Sequence, residues 1–244
     1  MNSRERILAA INHQPVDRVP TDIWATGEVF AALQAYFGKD VDVRMKLGID
    51  GFGGVEARYI GPELPADGSR NYWGMGYQNS EYEGGTYMEQ CYYPLQQAET
   101  LDDLTSYPWP KADWFDYSGI REKIQVQHET RAIQIGYMAP FYFHNQLRGL
   151  EASLMDPLVD PDFTHELLTR LTDFFVVHHR RIFEAGEGVI DVTQVTDDFG
   201  SQHGPLISLD VFREFYRPQM QRCIDLAKEF GIKVMHHDDG AIRS

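Results

Sequence analysis

Val189-Ile-Asp-Val-Thr-Gln-Val195 runs into Thr196-Asp-Asp-Phe-Gly-Ser-Gln-His-Gly204, and Ile232-Lys-Val-Met235 runs into His236-His-Asp-Asp-Gly240. Both are short, β-branched stretches that end in carboxylates and imidazoles, as strands followed by polar loops do. Between them, residues 210–230 read as a helix with Gly231 as its stop signal. Strand, helix, strand implies parallel strands, whose C-terminal ends share one face. Asp197, Asp198, His203, His237 and Asp239 are therefore candidates to converge on one pocket. A plainer reading stands beside it: Asp198 suits an Asx-turn, and His236 or Asp238 suits a cap or a solvated link. Two acidic loops in consecutive units, each with histidine nearby, favour the site.

Upstream, Ala132-Ile-Gln-Ile-Gly-Tyr137 reads as a strand ending at Met138-Ala139-Pro140, followed by a helix over residues 141–155 that carries His144, Asn145 and Arg148. Asp160-Pro161 opens a long helix to about Ala185, because proline suits a first turn. Its Leu167, Leu168, Leu171, Phe174 and Phe175 are core, and His178 and His179 are expected at the surface. Earlier still, helices are expected over residues 3–12, 28–37, 41–47 and 117–129, with strands over 19–25, carrying Asp22 and Trp24, and 49–57, carrying Glu56. Residues 59–95 are rich in glycine and tyrosine and read as a β-hairpin lid inserted over the pocket mouth. Its tyrosines either stack on a flat ligand or hold the excursion together. The whole of 1–244 reads as one domain built on a parallel sheet, open or closed into a barrel.

A net charge of −15 argues against nucleic acid and anionic membrane as partners, since phosphate binding needs clustered lysine and arginine. The N-terminus has no apolar leader and no run approaches a membrane span, so a cytoplasmic protein is expected. Cys91 and Cys223 are far apart and belong to no CxxC, so neither a disulfide framework nor a thiolate zinc site is implied.

Several stretches carry a resemblance. Arg4-Glu-Arg-Ile-Leu-Ala-Ala-Ile-Asn-His-Gln-Pro-Val-Asp-Arg-Val-Pro20, Leu147-Arg-Gly-Leu-Glu151 with Leu154-Met-Asp156, Asp160-Pro-Asp162, Asp197-Asp-Phe-Gly-Ser-Gln202 and His237-Asp-Asp-Gly240 occur in the order found in the uroporphyrinogen decarboxylase superfamily. The chain resembles that superfamily over its whole length. The resemblance implies a TIM (β/α)8-type barrel with its site at the C-terminal strand ends. Five of the eight strands a closed barrel needs are legible (19–25, 49–57, 132–138, 189–195 and 232–237), so an incomplete barrel is expected. At about 30 residues per unit, roughly 90 to 100 further residues would follow Ser244.

The superfamily holds two chemistries. Uroporphyrinogen decarboxylases of porphyrin biosynthesis are cofactor-free lyases that grip a polycarboxylated tetrapyrrole with arginines after the first strand, beside an aspartate after the second. Here the first loop, Ala25-Thr-Gly-Glu-Val-Phe30, has no arginine and carries Glu28, which repels a polyanion, and Glu56 is the acidic candidate of the second strand. The other branch passes a methyl group between a corrinoid protein and a thiol, on zinc held by His-x-Cys and a later cysteine. His237-Asp-Asp239-Gly240 matches that motif with Asp239 in the place of cysteine. Two residues apart on an extended segment, His237 and Asp239 lie on one side and suit one ion. A His–Asp hydrogen-bonded pair without metal is the alternative.

The resemblance thus implies an enzyme of the methyltransferase type or of an uncharacterised branch. True uroporphyrinogen decarboxylation and a non-catalytic corrinoid- or tetrapyrrole-binding module are the alternatives. Asp198 and His237 would position or protonate the substrate, Asp239 would orient His237 or ligate metal with it, and Trp24, Tyr137, His144, Arg148 and Gln202 would contact substrate. Zinc is the one cofactor expected. A small-molecule substrate and a corrinoid protein are the expected partners.

Overall fold

The protein's computed structural model describes residues 1–243, which form a mixed α/β fold of two compact units. The first unit comprises residues 1–56, 118–135 and 185–192. Its opening helix, Ser3–Ile11, is capped by Asn2 rather than Ser3, in a capping box with Glu5. Helices Gly27–Phe37, Val43–Lys46 and Ile120–His128 follow.

The N-terminal motif has a structural role, because its charges meet at Asp50, which is 1% exposed. Arg6 pairs with Asp50 and with Asp17 (2.6 Å), Arg18 reaches Asp50 at 2.7 Å, and the Ser3 hydroxyl donates to it at 3.0 Å. Burial opposes the Asp50 charge, but the Thr21 N–H, Arg18, Ser3 and Arg6 together hold its carboxyl below the usual range.

Residues 19–25 form no strand. Pro20 has no N–H, the Thr21 N–H is taken by the Asp50 carboxylate (3.0 Å), and the Ile23 N–H by the Asp22 side chain (2.8 Å), so these three positions offer no donor to a ladder. Residues 49–57 make only one parallel bridge, Gly53 to Ile133. The glycines there permit close approach: a Cβ on Gly54 would stand 2.5 Å from the Gln134 carbonyl oxygen.

Among the described residues, the second unit comprises residues 57–117, 136–184 and those from 193 onward. Strands Gly76–Tyr82 and Gly85–Tyr92 pair antiparallel through a turn at Glu83-Gly84, where Gly84 has φ 101°. Trp73, 2% exposed, packs on Phe143, Phe174 and Phe175 with ring centroids 5.0, 4.9 and 5.9 Å away. Part of the aromatic stripe is therefore core, while Tyr87 and Tyr92 stay exposed.

Strands Gln134–Met138, Val192–Val195 and Lys233–Met235 lie in that order in one sheet, the first residues of the first two being counted with the first unit. Among the described residues the strands do not close into a barrel. The helix expected over 141–155 is two helices, Pro140–Arg148 and Leu150–Val159, broken at Gly149, whose φ of 84° a helix cannot hold. Leu209–Val211, a π turn at Phe212–Tyr216 and Arg217–Glu229 make up the last helical stretch. No helix is long and apolar enough to cross a membrane among the described residues.

Helix Pro161–Ala185 buries Leu167, Leu168, Leu171, Phe174 and Phe175 as expected. It also buries His178 and His179, contrary to the surface placement read from sequence. They continue the same helical stripe, three and four residues past Phe175. His178 stacks on Phe174 and its Nδ1 meets the Tyr117 hydroxyl at 2.8 Å; His179 pairs with the Phe175 carbonyl (2.8 Å) and accepts the Tyr137 N–H (3.3 Å). Burial lowers their pKa values to about 3 and about 4, so both are neutral.

Candidate metal centre

Strand Val192–Val195 is buried at every position and delivers the chain to Thr196. The Thr196 hydroxyl donates to the His237 carbonyl oxygen (2.5 Å) and accepts the His237 N–H (3.0 Å), and the Asp197 N–H also reaches that carbonyl (3.3 Å). Beyond these contacts the two loops run together. The Asp239 N–H donates to Asp198 Oδ1 (2.9 Å), the Phe199 N–H to Asp238 Oδ1 (3.2 Å) and the Ala241 N–H to the Ser201 carbonyl (2.8 Å).

Two glycines allow the approach. A Cβ on Gly200 would lie 2.6 Å from the Asp239 carbonyl oxygen, and one on Gly240, at φ 98°, would lie 2.6 Å from Gly200 C and O. Any side chain at either position would push the loops apart.

The crossing brings Asp198, His237 and Asp239 together. His237 Nε2 is 3.7 Å from Asp198 Oδ1 and 3.5 Å from Asp239 Oδ2, and the three residues each offer a ligand atom within 4.8 Å of the others. A tetrahedral ion with ligands about 2.0–2.2 Å away has ligand–ligand edges of roughly 3.3–3.6 Å, so the two spacings at His237 come near those around one small divalent cation, while Asp198 and Asp239 are both exposed. One imidazole and two carboxylates suit zinc, and also harder divalent ions that a thiolate set would disfavour.

Asp197, expected in the same pocket, turns the other way. It is 2% exposed and accepts the N–H groups of Phe141 (3.1 Å) and Tyr142 (2.7 Å) at the start of helix Pro140–Arg148. Burial pushes its carboxyl well above the usual range, against the pull of those two donors. Tyr137, 44% exposed at the end of its strand, stands edge-on to Tyr142 with centroids 6.0 Å apart. Its phenol is pushed up to about 12 by burial, with Tyr142, Asp197 and Asp198 adding to the effect.

Of the other expected substrate contacts, His144 and Arg148 are engaged inside the protein. His144 is fully buried, with Nδ1 at 2.9 Å from the Tyr216 hydroxyl and Nε2 at 3.1 Å from Asp156, so both ring nitrogens are engaged. Arg148 grips Asp156 through Nε and NH2, both at 2.8 Å, and donates to the Leu95 (2.5 Å) and Ala98 (2.7 Å) carbonyls. Its guanidinium is spent inside the protein. Trp24 belongs to the first unit and is 71% exposed. Gln202 and His203 are exposed on a turn closed by Ser201, outside the Asp198–His237–Asp239 group.

His236 and Asp238, alternating with the cluster residues, face an apolar cavity of about 680 Å³ lined also by Phe199, Leu206, Phe212 and Met220. Burial raises the Asp238 carboxyl. Sequence reasoning missed Thr196, whose signal was slight: a hydroxyl residue at the last buried position before an acidic loop.

Residues 120–244, just over half of the chain, match the family described as Uroporphyrinogen decarboxylase (URO-D), and the chain belongs to that family. Among solved structures, one titled methyltransferase from Methanosarcina mazei is similar, with a TM-score of 0.60 and 21% identity over 98% of this chain and 70% of that one. At that identity the likeness shows the fold. No curated protein matches the sequence.

Proposed function

We propose that the chain is a metal-dependent enzyme of this superfamily, of the methyltransferase type, with zinc held by His237, Asp239 and Asp198. The grouping of these three side chains carries the reading. Asp198 supplies the further donor that the family motif takes from a later cysteine. Zinc, when bound, lowers the pKa of a coordinated thiol and sustains a thiolate at neutral pH. The protein's own contribution is placement: Asp198 and Asp239 flank the His237 ring at 3.7 and 3.5 Å, and Tyr137 walls the site. Hairpin Gly76–Tyr92 acts as the lid, Gln202 contacts substrate, and the methyl donor is a corrinoid protein in the cytoplasm. The three-stranded sheet Gln134–Met138, Val192–Val195, Lys233–Met235 reads as part of a TIM barrel.

The charges argue against the decarboxylase reading. Residues 196–204, 236–242 and 76–92 contain no lysine or arginine, and the hairpin adds Glu81, Glu83 and Glu89. A polycarboxylated tetrapyrrole would find no lysine or arginine within those residues, and Arg70, stacked on Tyr92 with its guanidinium 4.9 Å from the ring centre, is a cation that packs against the hairpin. Arg148, the cation that reading relied on, is committed to Asp156.

Calorimetric titration of the metal-stripped protein with Zn²⁺ is expected to give one site, lost in Asp239→Ala. Methylcobalamin plus a thiol, and separately uroporphyrinogen, would then be offered to the zinc-loaded protein, with methylation of the thiol expected. Equal zinc content in wild type and variant removes Asp239 as a ligand; release of CO₂ from uroporphyrinogen overturns the methyltransferase reading.

A further inference from the structure

We infer that Thr196 is a positioning residue for His237, an inference that rests on the metal-centre reading above. A single hydroxyl meets both polar groups of the His237 peptide, donating its hydrogen to the carbonyl at 2.5 Å and accepting the N–H at 3.0 Å. Thr196 is 2% exposed, and its own N–H is anchored on the Met138 carbonyl at 3.0 Å. The hydroxyl thus replaces a ladder rung where strands Val192–Val195 and Lys233–Met235 end, and β-branching restricts its χ1. Asp198 lies two residues beyond Thr196, and His237 is the residue held. This side chain, with the Asp197 N–H on the same carbonyl (3.3 Å), therefore ties the two loops together at the point where they supply their ligands. The Asp239 N–H bond to Asp198 and the Gly200–Gly240 crossing complete the frame farther out.

The role separates from plain packing through paired substitutions. Thr196→Val keeps shape and volume but removes the hydroxyl, whereas Thr196→Ser keeps the oxygen. The metal-free proteins are titrated with Co²⁺, followed by its visible ligand-field bands, and His237 amide hydrogen exchange is measured by NMR. Thr196→Val is expected to bind Co²⁺ about 10- to 100-fold more weakly, as loss of an outer-shell partner does, with altered band intensities. Its His237 amide is expected to exchange about tenfold faster, the equivalent of one typical hydrogen bond. Thr196→Ser is expected to restore both.

Unchanged Co²⁺ affinity in Thr196→Val, or a loss that Thr196→Ser shares equally, overturns the inference. If wild type takes up no Co²⁺ or Zn²⁺, the metal reading falls, and the exchange rate alone judges Thr196. Unaltered His237 protection in Thr196→Val then overturns the inference, and faster exchange reversed by serine supports it. Should Thr196→Val fail to fold, Thr196→Ala is compared with Thr196→Ser on the same two measurements.

Discussion

Asp156→Ala removes the acceptor on which a buried arginine and a buried histidine both depend. Asp156 receives Arg148 Nε and NH2 at 2.8 Å each and lies 3.1 Å from His144 Nε2, and all three residues are buried. Removing one partner of a buried ion pair costs about 3–5 kcal/mol, because the other charge is left uncompensated. Arg148 keeps its bonds to the Leu95 and Ala98 carbonyls, and His144, whose pKa burial lowers, keeps Tyr216. The loss should therefore sit at the lower end, about 3 kcal/mol. For a chain of this size that is a Tm decrease of about 6–12 °C. Urea denaturation followed by circular dichroism, with calorimetry for Tm, measures it. Combining Arg148→Met with Asp156→Leu removes both charges and should recover part of the loss, with non-additivity of about 0.5–3 kcal/mol. Zn²⁺ affinity should stay as in wild type. A Tm unchanged in Asp156→Ala, or strictly additive effects in the double variant, would refute the structural role of this network and return Arg148 to candidacy as a ligand contact.

Two further perturbations follow. His178 and His179 have folded pKa values lowered by burial to about 3 and about 4, below the unfolded value, so the unfolded chain binds their protons first. Their contribution is full above about pH 6.5 and falls as pH drops toward 4, at up to about 2.7 kcal/mol per pH unit for the pair. Unfolding free energies at several pH values should show a shallower slope in His178→Leu/His179→Met, and parallel slopes would contradict it. Gly240→Ala imposes a side chain at φ 98° and 2.6 Å from the Gly200 backbone. It should cost about 1–3 kcal/mol and weaken Co²⁺ binding, whereas the same change at Gly188, which has open space around it, should leave Co²⁺ binding intact.

The later strands were legible because they are short β-branched runs, and all three lie where expected, trimmed at their ends. The first two expected strands, 19–25 and 49–57, were not. Their patterns are strand-like, but side chains rather than a neighbouring strand satisfy the Thr21 and Ile23 donors, and a sequence does not display that competition. His178 and His179 look polar in isolation. Only their spacing from Leu171 and Phe175 marks them as part of the buried stripe. His144 and Arg148 read as ligand contacts because their partner, Asp156, lies on the next helix, and the break at Gly149 turns it back onto them.

The neighbouring aspartates 197 and 198 show why an acidic motif does not by itself locate a site. Asp197 points inward and accepts the first N–H groups of helix Pro140–Arg148, while burial pushes its carboxyl well above the usual range. Asp198 points outward, to within 4.8 Å of another carboxylate, Asp239, with one imidazole beside them. Both carboxylates are exposed, so water and salt screen much of their repulsion, and a bound cation would relieve the rest. Neither loop that frames them supplies a lysine or arginine, and the one imidazole balances at most one of the two charges. That shortage of positive charge, at His237 spacings of 3.7 and 3.5 Å, is the ground on which the proposed metal centre rests.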